Sequence, residues 1–145
     1  MYLLDTNIWL ERLLDQERTQ EVGQLLDVLS SDQLLISDFS LHSVGVILHR
    51  LKHQRDFLTF VDDLFIKGDV LLATLRPTHM TRLVEVAHDF QLDFDDAYQY
   101  VLAELYDVPL VSFDHDFDRT YRGRIEPRDI LAILRAQENE GDESE

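Results

Sequence analysis

Three short apolar runs in this chain each end at, or just before, an aspartate. Tyr2-Leu3-Leu4 stops at Asp5, Leu34-Leu35-Ile36 runs into Ser37-Asp38, and Val108-Pro109-Leu110-Val111-Ser112 precedes Asp114 by two positions. Runs this short and this continuous read as strands buried on both faces. A further strand is expected over residues 70–75, after a Lys67-Gly68-Asp69 turn, and a very short fifth over residues 124–126. Helix-periodic segments separate them. Thr6 and Asn7 offer N-caps for the first, which Ile8, Leu10, Leu13 and Leu14 mark, and residues 19–29 carry Val22, Leu25, Leu26 and Leu29 on one face. Ser40 is expected to cap a helix to about residue 53, and more helices are expected over residues 56–66, 79–90 and 129–137. Asp93 should cap another that ends near Tyr106. Strands alternating with helices predict an α/β fold of three layers, α/β/α, with a mainly parallel sheet of four or five short strands. Such folds place their sites beyond the carboxyl ends of the strands, where Asp5, Asp38 and Asp114 fall.

The length of 145 residues suits one domain able to bury its own core. The last nine residues, QENEGDESE, hold five acids and no base, and residues 137–145 are expected to form a disordered acidic tail behind a domain of residues 1–136. No apolar run approaches the roughly 18 residues of a membrane span, and the N-terminus lacks the pattern of a signal peptide. The absence of cysteine excludes disulfides and thiolate metal ligands. A cytoplasmic location is expected. The net charge of −16 argues against tight, unaided nucleic-acid binding, which rests on neutralising phosphates. An acidic body fits better with a metal, a basic protein partner or a high-salt cytoplasm.

Each acidic position has a plain structural reading and a chemical one. Asp5 can stabilise the dipole of the helix that follows it. Asp95 and Asp96 can do the same in the first turn behind Asp93. Helical spacing, however, turns Asp96 onto the face of Tyr100 and Ala103, and an inward carboxylate without a partner is costly unless a metal resolves it. Asp114 and Asp116 can form Asx-turns, but two acids at this spacing after a buried strand also suit oxygen coordination of a hard cation.

Taken in order, Leu3-Leu4-Asp5-Thr6-Asn7, Phe94-Asp95-Asp96-Ala97 and Leu110-Val111-Ser112-Phe113-Asp114-His115-Asp116-Phe117 resemble the three successive motifs of PIN domains. Length and layout are most similar to VapC-like toxins. The resemblance covers residues 1 to about 134 and implies a PIN-like fold and a metal-dependent ribonuclease. It also implies a cognate antitoxin when the protein belongs to a toxin–antitoxin pair, and a homodimer. Carried over by position, Asp5, Asp96 and Asp114 would be the catalytic acids that bind Mg²⁺ or Mn²⁺, and Asp116 an accessory metal-binding acid. Thr6 and Ser112 would position acids or water. Several acids in one cleft repel one another without metal, so at least one pKa is expected to rise.

One position departs from the family pattern. A Ser/Thr-x-x-Glu step is usual after the second strand, and here it reads Ser40-Leu41-His42-Ser43, with Ser43 at the Glu position. Asp38 is the candidate to compensate from the loop. The departure bears more on catalysis than on metal binding, because Mg²⁺ usually takes only one or two protein carboxylates. It motivates an alternative, a catalytically impaired PIN-fold binding or scaffold protein. A receiver-like phosphoacceptor is disfavoured, since no Lys stands after a late strand. Two basic groups remain. Arg50, Lys52, His53 and Arg55 form a solvated face that could guide RNA or meet an acidic partner. Arg119, Arg122 and Arg124 could contact phosphate or pair with Asp116, Asp118 and Glu126.

Overall fold

A computed structural model describes residues 1–144 of the chain. Four strands form one parallel sheet in the order β3-β2-β1-β4: β1 (Tyr2–Leu4), β2 (Leu34–Ser37), β3 (Leu71–Ala73) and β4 (Leu110–Val111). Leu3 stands opposite Leu35 on one side and Leu110 on the other. The expected fifth strand is reduced to a single parallel bridge between Ile125 and Val111. The connection from β1 leads to β2 on one side, whereas β4 pairs with β1 on the other. The strand order therefore reverses between β1 and β4, which makes that crevice the topological switch point.

Alternation along the strands sends successive side chains to opposite faces. Leu3, Leu35, Ala73 and Leu110 pack against α5 (Met80–Phe90) and α6 (Phe94–Tyr106), chiefly on Leu83, Val86, Tyr100 and Ala103. Leu4, Leu34, Ile36 and Val111 face the other layer. There they meet α1 (Thr6–Leu13), α2 (Thr19–Val28), α3 (Asp38–Arg50), α4 (Gln54–Val61) and α7 (Pro127–Glu143) through Ile8, Leu25, Val44, Phe60 and Ile130. Trp9 belongs to this core and meets Phe60 edge-on at 5.5 Å. The three layers of the sequence reading are thus present, with a sheet so short that helices supply most of the buried surface.

Three local expectations change. α1 starts on Asp5 rather than on Thr6 or Asn7: the Asp5 carboxylate accepts from Thr6 N at 2.8 Å. α3 is capped by Ser37, whose hydroxyl accepts from Ser40 N, so Ser40 is freed to turn inward. Finally, α7 continues to Glu143, so residues 137–143 of the tail expected to be disordered are helical; Glu145 lies outside the described residues. Once Ile130 and Leu131 fix the first turns against the core, each added residue gains a hydrogen bond without a new nucleation cost. Among the described residues, no helix is long and apolar enough to cross a membrane.

Candidate metal centre

The crevice beyond the carboxyl ends of β1 and β4 holds a group of carboxylates. One oxygen from each of Asp96, Asp114 and Asp116 lies within 4.8 Å of the others. Asp93 caps α6 by accepting from Asp96 N at 2.9 Å, which fixes where the helix begins. Asp96 is then half-buried one turn before Gln99 and Tyr100, while Asp95 faces solvent. Asp114 caps the short 3-10 turn of His115–Arg119, accepting from Asp116 N at 2.9 Å. That turn folds Asp116 back toward Asp114. Asp116 also accepts from Arg119, at 3.1 Å.

Asp5 stands beside this trio but is buried, with 6% of its surface exposed. Its Oδ1 accepts from Thr6 N (2.8 Å) and Gln99 Nε2 (3.0 Å). Its Oδ2 accepts from Ser112 Oγ at 2.7 Å, and Asn7 Nδ2 lies at a marginal 3.5 Å. Ser112 Oγ also accepts from Asp114 N at 3.0 Å and from Asn7 Nδ2 at 3.2 Å, so one hydroxyl ties the end of β1 to the acidic turn. Thr6 reaches Asp5 through its backbone N–H; its hydroxyl is bonded instead to Ser40 Oγ at 2.7 Å.

The other sequence candidates stand apart. Asp38 Oδ1 accepts from Tyr98 Oη at 2.8 Å and from Phe39 N at 2.9 Å, which holds it outside the carboxylate trio. Ser43 is half-buried one turn after Ser40 on α3 and brings a hydroxyl, not an acid. The three arginines after the acidic turn are internally engaged. Arg119 donates to Asp116, Phe90 O and Gln91 O. Arg122 donates to Asp107 and Val108 O. Arg124 donates to Asp118, Glu126 and Ser112 O. Of the two readings offered for them, local pairing fits.

Sequence reasoning passed over Gln99 and gave Asn7 only a capping role. Gln99 is 99% buried, and its position one helical turn after Asp96 was the available signal. Asn7 donates to Ser112 and accepts from Phe113 N at 3.2 Å, a bridge across 106 residues that spacing alone does not reveal.

Electrostatics follow from this arrangement. Burial first, then the charges of Asp93, Asp114, Asp5 and Asp116, push the Asp96 carboxyl up to about 7. Burial raises Asp5 as well, against the hydrogen bonds from Ser112, Gln99 and Thr6. The expected rise of at least one pKa is present, and like-charge repulsion contributes to it. The donor set fits a hard divalent cation. Oxygens that bind one at about 2.0–2.6 Å lie no more than about 5 Å apart, and Asp96, Asp114 and Asp116 meet that limit.

No curated protein matches the chain in sequence. Its fold resembles that of the Mycobacterium tuberculosis VapC20 toxin, described as cleaving the sarcin-ricin loop, at 17% identity and a TM-score of 0.72, covering 88% of this chain and 100% of the other. A toxin–antitoxin complex from Klebsiella pneumoniae aligns at 22% identity and a TM-score of 0.70, over 88% and 98% of the two chains. VapBC2 from Rickettsia felis, solved with a fragment of promoter DNA, aligns at 16% identity and a TM-score of 0.68, over 86% and 96%. A sequence profile of the PIN domain matches residues 2–123. With that match over most of its length, the chain belongs to the PIN-domain family.

Proposed function

We propose that this protein is a metal-dependent endoribonuclease that hydrolyses RNA phosphodiester bonds, and that it is the toxin of a type II toxin–antitoxin pair. The observation that carries the reading is the meeting of Asp96, Asp114 and Asp116 beside buried Asp5 at the switch point. Mg²⁺ or Mn²⁺ would be held by Asp96, Asp114 and Asp5, with Asp116 as an accessory acid. A divalent ion supplies Lewis acidity toward water and phosphate. The protein's own residues do the rest. Ser112 aligns Asp5 with the acidic turn, the Asp93 cap sets Asp96, and Asn7 ties the two strand ends together. Without a cation this crevice repels phosphate, so metal would serve substrate binding as well as chemistry. The likeness to toxin–antitoxin proteins supports a protein antitoxin as partner, and a homodimer is read from the family resemblance.

The test is RNA cleavage by highly purified protein with Mn²⁺ or Mg²⁺. Activity is expected to need the metal and to fall at least about 100-fold in Asp5→Asn and in Asp96→Asn, the scale of losing groups that stabilise transition-state charge. Cleavage that survives both substitutions would sink the site assignment. Ser43 supports a second reading, a PIN-fold scaffold with impaired catalysis. That reading expects no metal-stimulated cleavage by the natural sequence and a large gain in Ser43→Glu.

A further inference from the structure

Gln99 lies in the core between Asp5 and Ser40, and its amide is asymmetric in its bonding. Nε2 uses both of its hydrogens, one on Asp5 Oδ1 at 3.0 Å and one on Ser40 Oγ at 2.7 Å. Oε1 is buried and finds no partner among the described residues. The reverse orientation would set Oε1 against Asp5, which in the ionised form that holds a cation can only accept, so that form requires the observed one. An orphaned buried acceptor is a poor choice for folding alone, where an apolar side chain of similar length would fill the space. What the amide does accomplish is local. Together with Thr6 N it fills the acceptor sites of Asp5 Oδ1. Oδ2 is left on the side of Ser112, whose hydroxyl also receives Asp114 N. Gln99 and Asp96 ride on the same helix, so the amide also fixes the distance between α6 and the end of β1.

We infer that Gln99 is a positioning residue for the metal centre: by saturating Oδ1 from the protein side, its amide holds Asp5 with Oδ2 toward the Asp114 turn, as the oxygen the centre uses. Ser40 steadies the amide from the far side, and Thr6 Oγ1 steadies Ser40. The inference rests on the proposed metal centre but not on RNA cleavage.

The experiment is an EPR titration of RNA-free protein with Mn²⁺, on folded samples checked by far-UV circular dichroism. Wild type is expected to bind Mn²⁺, and Gln99→Met to bind it about 10–100-fold more weakly, the usual effect of removing a partner that orients a ligand. The loss should vanish when Gln99→Met is placed in an Asp5→Asn background, because the amide acts only through Asp5. If Gln99→Met does not fold, Ser40→Ala serves instead; it frees one amide hydrogen, and a smaller loss is expected that again disappears with Asp5→Asn. Equal Mn²⁺ affinity in folded wild type and variant would overturn the inference, as would an undiminished loss in the Asp5→Asn background or a wild type that binds no Mn²⁺. Mn²⁺ binding without RNA cleavage would remove the nuclease reading alone, and the titration would still decide the role of Gln99.

Discussion

An unfolded aspartate titrates near 3.8, whereas Asp96 in the folded protein is pushed up to about 7. Between these values the native state holds more protons than the unfolded one, so stability falls as pH rises. Glu126 acts oppositely but elsewhere. Although burial works against it, hydrogen bonds from Arg18 and Arg124 hold its pKa down at about 2, so its contribution is lost only as pH falls below its ordinary 4.5. Asp5, raised in the same sense as Asp96, adds to the upper window. Metal-free protein should therefore denature at lower urea at pH 7.5 than at pH 5.5, and Asp96→Asn should reduce that difference. Saturating Mn²⁺ should reverse the trend, because ion binding needs the carboxylates ionised. A metal-free protein equally stable at both pH values would refute this account of Asp96.

α6 carries two jobs on one turn. Its cap, Asp93, satisfies a backbone N–H and also presses its charge on Asp96. Asp93→Ala should cost about 1 kcal/mol, the usual loss for an N-cap. Asp93→Asn keeps a capping oxygen and removes the charge, so the melting temperature should barely move while Asp96 titrates at lower pH, measurable by NMR. An Asn variant that leaves the Asp96 titration unchanged would mean that burial and the other acids set it without Asp93. The start of α6 was legible because Asp93 is followed by a helical apolar pattern. The start of α3 was not, because Ser37 and Ser40 are equally good caps on paper, and the choice fell to the inward pull of Gln99 and Thr6 on Ser40. The length of α7 was misjudged for a related reason: composition describes a segment's own preference and leaves out the packed helix in front of it.

At the scale of the whole molecule, the three-layer order and the parallel sheet followed from four apolar runs, because strands that continuous have to be covered on both sides. Position at strand ends pointed to Asp5, Asp38 and Asp114, and the family resemblance added Asp96 and Asp116; of these, Asp96, Asp114 and Asp116 meet in one group. The internal bonding of Asp5 was not legible, since Asn7, Gln99 and Ser112 converge on it or its neighbour from three separate elements. The internally paired arginines carry a consequence for how a polyanion arrives. With Arg119, Arg122 and Arg124 turned into their own protein, a surface of net charge −16 would meet the proposed RNA substrate with mostly like charge. Most nucleic-acid-binding proteins lose affinity as salt rises. Here dissolved KCl screens repulsion instead, within a Debye length of about 10 Å at 0.1 M. At fixed, saturating Mn²⁺, stopped-flow encounter with a short RNA should thus accelerate between 20 and 200 mM KCl, on the order of a few-fold. A rate that falls over that range would mean the Arg50–Arg55 face, not the screened body, guides the approach.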